Sequence, residues 1–157
     1  LSLGRMRRVR ANAKRAEVVD RVAYVVSDGR FPPFREVDGV LLDAPCAGTG
    51  TLRRHADGRW RITEVDLRAL AKLQSELLDS AAALVRPGGV LVYSTCSLEP
   101  EENEQQVERF LKKHEKFRLA PTDTVSEASM SRDGYLSVLP QRHGVDGAFA
   151  ARLLRSA

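Results

Sequence analysis

Val37-Asp38-Gly39-Val40-Leu41-Leu42-Asp43-Ala44-Pro45-Cys46 and Val90-Leu91-Val92-Tyr93-Ser94-Thr95-Cys96-Ser97 decide how this chain folds. Each is a short apolar run that ends at a cysteine, and the chain has two cysteines in all. Runs of this length, bounded by Gly and Pro, read as buried strands over Val37–Leu42 and Val90–Tyr93. Laid parallel, the two strands would present both thiols side by side at their carboxyl ends. Open α/β sheets carry their active sites there. Two thiols and the Asp43 carboxylate converging at that place point to covalent chemistry on a small electrophile.

Outward from these strands, the sequence alternates helix and strand signals. Ser2 to Ala16 reads as a helix with Met6, Val9 and Ala13 on one face. Arg21–Ser27 reads as a short strand ending at Asp28-Gly29, and Phe31-Pro32-Pro33-Phe34 as a rigid loop. Gly48, Thr49 and Gly50 form a loop that lets backbone approach a ligand. Thr63-x-x-Asp66 resembles a capping box at the start of a long helix. Its apolar stripe is Leu70, Leu73, Leu77, Ala81 and Leu84, and Pro87-Gly88-Gly89 stops it. Pro100 opens another helix, with Glu99, Glu101 and Glu102 at its positive end and Lys112 and Lys113 at its negative end. Pro121–Arg132 is polar and loop-like. Tyr135–Leu139 and Phe149–Leu154 form two strands joined as a hairpin through Gln141–Gly147. The order α-β-β-α-β-α-β-β predicts an α/β fold with a mostly parallel sheet and an antiparallel C-terminal edge.

The 157 residues, 43% apolar and 29% charged, suit one globular domain, here residues 1–157. No apolar stretch approaches the roughly 20 residues of a membrane span, and no h-region follows the basic start. Two cysteines without a disulfide framework favour free thiols in a reducing cytoplasm. The formal charge is +4, and it is unevenly spread. Arg5, Arg7, Arg8, Arg10, Lys14 and Arg15 crowd the start, where a solvated helix face and a phosphate-binding face are equally served. Arg53, Arg54, His55, Arg59 and Arg61 follow the first cysteine and favour nucleic-acid contact. The chain begins at Leu1 rather than Met, as expected of part of a larger domain.

Several chemistries are poorly served. The cysteines lack the paired spacing of zinc ligands and the C-x-x-C of a redox pair. Ala47-Gly48-Thr49-Gly50-Thr51 lacks the G-K-[ST] core of a P-loop. The surviving candidates lie near strand ends. Asp43 is placed to hydrogen-bond a planar heterocycle, and Pro45 fixes the backbone before Cys46. Cys96 offers a second thiol that needs a lowered pKa or a base to act as a nucleophile. Asp28 can accept from an adenine amine or a ribose hydroxyl, although on its motif alone a simple turn suffices.

LLDAPCAGTGTLRRHADGRWR, then the helix with Leu73-Gln74, then LVRPGGVLVYSTCSLEPEENEQQV, then LPQRHGVDGAFAARL resembles the RsmB/Sun (NOL/NOP/Sun-type) family of RNA cytosine-C5 methyltransferases. The likeness runs through nearly the whole chain. It implies a Rossmann-like, S-adenosylmethionine-dependent transfer of a methyl group to C5 of a cytosine. By this resemblance Cys96 is the nucleophile that adds to C6, and Cys46 assists release as base or proton relay. Asp43 would bond the cytosine N3/N4 edge, and Asp28, Asp43 and Pro45 would line the cofactor side. The target base must leave its stack to reach such a pocket. RNA is the implied partner, ribosomal rather than transfer RNA, with no membrane, no metal and no assigned oligomeric state.

DNA cytosine-C5 methyltransferases use the P-C thiol as nucleophile, which would exchange the two roles; the presence of both motifs favours the RNA family. The family's first strand and its Gly-rich cofactor loop would lie before Leu1, so a partial catalytic domain is expected. The other class to weigh is a catalytically silent RNA-binding fragment that uses the basic clusters.

Overall fold

Residues 3–121 and 133–157 are described by a computed structural model, and they divide between two units, Leu1–Pro33 and Phe34–Ala157. In the first unit, helix α1 runs from Leu3 to Arg15, close to the expected span. It closes with Val18 N–H donating to Ala13 O (3.0 Å) and Glu17 N–H to Lys14 O (3.1 Å). This is a Schellman closure, which needs a left-handed residue at its turn. Glu17 fills that place at φ 58°, at a cost of about 1 kcal/mol relative to glycine.

The strand expected over Arg21–Ser27 does not form. Val19–Arg21 is a 3₁₀ turn, and Val22 is extended, but none of the described residues pairs with this segment. Extended, β-branched sequence becomes a strand only when a ladder satisfies its backbone. Asp28 then makes a tight turn, with Phe31 N–H donating to its carbonyl at 2.9 Å.

The second unit holds the sheet. β1 (Val37–Asp43) lies parallel to β2 (Val85–Thr95), and β2 lies antiparallel to β5 (Ala148–Arg155). The far side of β5 pairs with two short strands, β3 (Phe117–Leu119) and β4 (Leu136–Val138). The sheet is therefore mixed, and the expected C-terminal hairpin is present, with the short helix α4 (Pro140–His143) in its connection. β5 sits inside the sheet rather than at its edge. The sequence does not signal β3: its three residues lie between a basic helix end and a polar stretch and carry too little periodicity. The polar stretch expected over Pro121–Arg132 lies, beyond Pro121, outside the described residues.

Helices α2 (Glu64–Leu84) and α3 (Glu104–Lys113) bury one face of the sheet. Leu91 and Tyr93 of β2 and Phe149, Ala151 and Leu153 of β5 point into that core, meeting Leu78, Ala81, Ala82, Val107 and Phe110. The capping box forms as expected: Asp66 N–H donates to Thr63 Oγ1, and Thr63 N–H donates to Asp66 Oδ2 at 3.0 Å. The buried stripe of α2 is offset from the expected one. It runs through Gln74, Leu78, Ala81 and Ala82, while Leu70, Leu73, Leu77 and Leu84 are half-buried. A polar residue occupies the stripe because its amide nitrogen donates to two acceptors, Pro45 O and Glu102 Oε1. α3 also starts later than expected, at Glu104, after turns over residues 100–103.

Pro87-Gly88-Gly89 does not end α2 but bulges β2. The residue before proline disfavours helix, and Val85 is already extended and paired with Val37. Register then resumes at Gly39 opposite Val90. Gly88 takes the left-handed conformation (φ 76°), and Gly89 is packed so tightly that a β-carbon would lie 2.8 Å from Asp38 O and Arg86 O. Both atoms are backbone and cannot swing away. Gly89→Ala is expected to lower unfolding stability by about 1–3 kcal/mol, read as a fall in the urea midpoint at unchanged slope. An unchanged midpoint would show that the bulge yields freely.

Candidate active site

The parallel register sets the site. Asp43 pairs with Ser94, so both strands end at the same level, and Ala44 N–H donates to Ser94 O at 2.9 Å. The two turns that follow leave the sheet together, carrying Cys46 and Cys96. Their sulfurs lie 3.3 Å apart, a thiol–thiol hydrogen bond between free cysteines. Cys96 is exposed and Cys46 half-buried. Burial, and then the hydrogen bond to Cys96, push the Cys46 thiol up to about 12. Cys46 thus holds its proton at neutral pH.

Asp43 ends β1, three residues before Cys46. Its carboxylate is exposed and accepts from Ser94 Oγ at 3.3 Å. Pro45, also exposed, precedes Cys46 and offers no N–H. Four of the five expected site residues, Asp43, Pro45, Cys46 and Cys96, therefore gather at one sheet end. Asp28 belongs to the first unit. There Arg30 donates to its carboxylate through the side chain, at 2.8 Å from Nη2, and through its backbone N–H at 3.0 Å. These bonds pull the Asp28 carboxyl down to about 2.

A layer of buried polar side chains lies beneath the thiols. The two carboxyl oxygens of Glu102 accept from Ala47 N–H at 3.0 and 3.1 Å, and one accepts from Gln74 Nε2 at 2.8 Å. The same Gln74 amide donates to Pro45 O at 2.9 Å. Next to it, Asn103 Oδ1 accepts from Thr95 Oγ1 at 2.6 Å, and Asn103 Nδ2 donates to Ser97 O at 2.9 Å. Ser97 N–H closes the ring on Thr95 Oγ1 at 3.2 Å. Sequence reading gives Glu102 to the helix dipole, and it includes Gln74 and Asn103 only within the stretches that carry the family likeness, with no role assigned to either. A polar residue at the centre of an amphipathic stripe was the available signal.

The Gly-rich loop caps the pair from the other side. Gly48 is left-handed (φ 70°), and Gly50 N–H donates to Cys96 O at 2.9 Å. A β-carbon on Gly50 would lie 2.7 Å from both Cys96 O and Gly147 O, so only glycine lets these three segments meet. Arg53 Nη1 donates to Gly144 O at 2.7 Å, Arg54 pairs with Asp146 at 3.0 Å, and Arg61 pairs with Asp57 at 2.7 Å. Three cations of the second basic cluster thus have contacts within the chain, two of them on the loop before β5. Among the described residues, no three His, Cys, Asp or Glu side chains gather as metal ligands, and no helix is long and apolar enough to cross a membrane.

Residues 2–154 match the family described as 16S rRNA methyltransferase RsmB/F. The chain belongs to that family. It is 47% identical over 131 residues to a probable ribosomal RNA small subunit methyltransferase B of Synechocystis sp., covering 82% of this chain and 29% of that protein. It is 40% identical over 155 residues to the ribosomal RNA small subunit methyltransferase B of Photorhabdus laumondii, covering 96% of this chain and 34% of that protein. The chain therefore spans about a third of the length of these RsmB/F relatives. The crystal structure of NSun6 from Pyrococcus horikoshii with SFG superposes with a TM-score of 0.84 at 31% identity, covering 99% of this chain and 40% of that one. The α/β, Rossmann-like fold read from the sequence is thus shared with solved members of this group.

The thiolate is the species that alkylates. At pH 8 iodoacetamide is expected to label Cys96 before Cys46 in initial-rate peptide mapping by mass spectrometry. The Cys46 rate should keep climbing as pH rises towards about 12. Prior labelling of Cys46 at pH 8 would contradict the assignment of the held proton.

Proposed function

We propose that this chain supplies the thiol side of an active site that methylates C5 of a cytosine in ribosomal RNA. The observation that carries the reading is the 3.3 Å thiol pair at the ends of adjacent parallel strands. RsmB/F membership supports the reaction class, and the names of the relatives support small-subunit ribosomal RNA as substrate. A reducing cytoplasm keeps both thiols free, as the chemistry requires. The intact thiol pair favours catalysis over silent RNA binding.

Cytosine C5 is a poor nucleophile. Addition of the Cys96 thiolate to C6 forms a carbon–sulfur bond and makes C5 enamine-like. S-adenosylmethionine, the proposed donor, supplies an electrophilic methyl group; NSun6 was solved with SFG, an analogue of it. The residues present fit such a ligand: a carboxylate has about four acceptor sites, and exposed Asp43 uses one of them on Ser94. Asp43, with Pro45, would hold the cofactor side, and Asp43 would bond the cytosine N3/N4 edge.

Release requires loss of the C5 proton and of the Cys96 sulfur. Protonated Cys46 lies within reach of Cys96 Sγ. It hands its proton to the departing sulfur and takes the C5 proton in return, so C5=C6 re-forms, Cys46 ends as it began, and Cys96 leaves as a thiol that gives up one proton to water before the next turnover.

In the full-length gene product with RNA and cofactor, Cys46→Ala is expected to accumulate a covalent RNA adduct visible as a shifted band under denaturing conditions. Cys96→Ala should form none. Adduct formation by Cys96→Ala would transfer the nucleophile's role to Cys46.

A further inference from the structure

Two adjacent side chains hold both cysteine turns. Glu102 and Asn103 are 0% and 4% exposed. Glu102 and its partner Gln74 grip the peptide groups on either side of Cys46, at Pro45 O and Ala47 N–H. Asn103 grips the residues on either side of Cys96, at Thr95 Oγ1 and Ser97 O. The pair is itself anchored: Tyr93 Oη donates to Glu102 O at 2.6 Å, and Glu102 N–H donates to Glu99 O at 3.0 Å. Taking a carboxyl group this deep out of water is costly, and apolar packing alone would stabilise the turn more cheaply. What apolar packing cannot do is fix the direction of two peptide groups.

We propose that Glu102 and Asn103 are positioning residues with separate jobs, Glu102 setting Cys46 for release and Asn103 setting Cys96 for attack. The inference rests on the roles given to the cysteines above. Each arm governs one thiol, so damage to each should appear in a different step. A displacement near 1 Å of a reacting group can cost about a hundredfold in rate.

The test is rapid-quench kinetics of the full-length gene product with RNA and S-adenosylmethionine, following adduct formation and adduct decay separately. Glu102→Gln keeps the volume and one acceptor. It is expected to form adduct within about threefold of the wild-type rate but to resolve it at least about tenfold more slowly, so that adduct accumulates. Asn103→Asp keeps the acceptor for Thr95 and loses the donor to Ser97. It should slow adduct formation by about tenfold or more, without accumulation. Where Glu102→Gln does not fold, Gln74→Met removes the bridging amide at similar volume and should also slow decay selectively. Urea midpoints separate lost stability from lost positioning. Equal slowing of both steps in each variant, or wild-type rates in the folded fraction, would overturn the proposal. Failure of the cysteine roles would show independently, as adduct formation by Cys96→Ala.

Discussion

The register between β1 and β2 is the constraint on which the site depends. Asp43 opposite Ser94 makes two strands of unequal length stop together, and the backbone bond from Ala44 to Ser94 carries the alignment one residue past the ladder. A one-residue slip would turn every β1 side chain to the other face of the sheet. The bulge at Pro87-Gly88-Gly89 sets this register, because it absorbs extra β2 residues between the Val37–Val85 pair and the continuous ladder that starts at Gly39 and Val90. Gly89 has backbone against it on both strands, so the geometry of the strand start is tied to that of the catalytic end.

Beyond the ladder the two turns have no sheet to hold them, and polar side chains take over. Gln74, Thr95, Ser97, Glu102, Asn103 and Gln106 are all buried, an unusual concentration of polarity beside a small core. The hydrogen bonds described above account for the burial of Gln74, Glu102 and Asn103, and Gln106 Nε2 donates to Ala71 O at 2.6 Å. Such networks are justified only when nearly every member has a partner, and then they specify one arrangement. Above them the apolar core and the sheet provide stability; the network provides orientation. The Gly50 contact with Cys96 and Gly147 joins the C-terminal hairpin to the same arrangement.

Much of this was legible in the residues. The apolar runs into Cys46 and Cys96 located the strands, the sheet end and the thiol pair, because strand burial and cysteine position are local signals. The Thr63–Asp66 box marked the helix start for the same reason. The Arg21–Ser27 segment misled because β-branched composition signals an extended chain and says nothing of a partner strand. The α2 stripe was offset because Gln74 does not count as apolar, although its bonds to Pro45 and Glu102 let it sit in the core. Glu102 looked like a charge for a helix dipole, and only its distance from Ala47 reveals a grip on the Cys46 turn. Asp28 illustrates the opposite case: the simple turn that its motif allowed is the one it forms, with Arg30 on its carboxylate.

The central claim is that the two thiols share one reaction with Cys96 as the atom that bonds to the base. RNA carrying 5-fluorocytosine at the target position tests it directly, since fluorine at C5 cannot leave as the proton does and the adduct is trapped. Tryptic mapping of the trapped complex by mass spectrometry should place the nucleotide on the peptide that contains Cys96, with Cys46 unmodified. A nucleotide on the peptide that contains Cys46 would contradict the account.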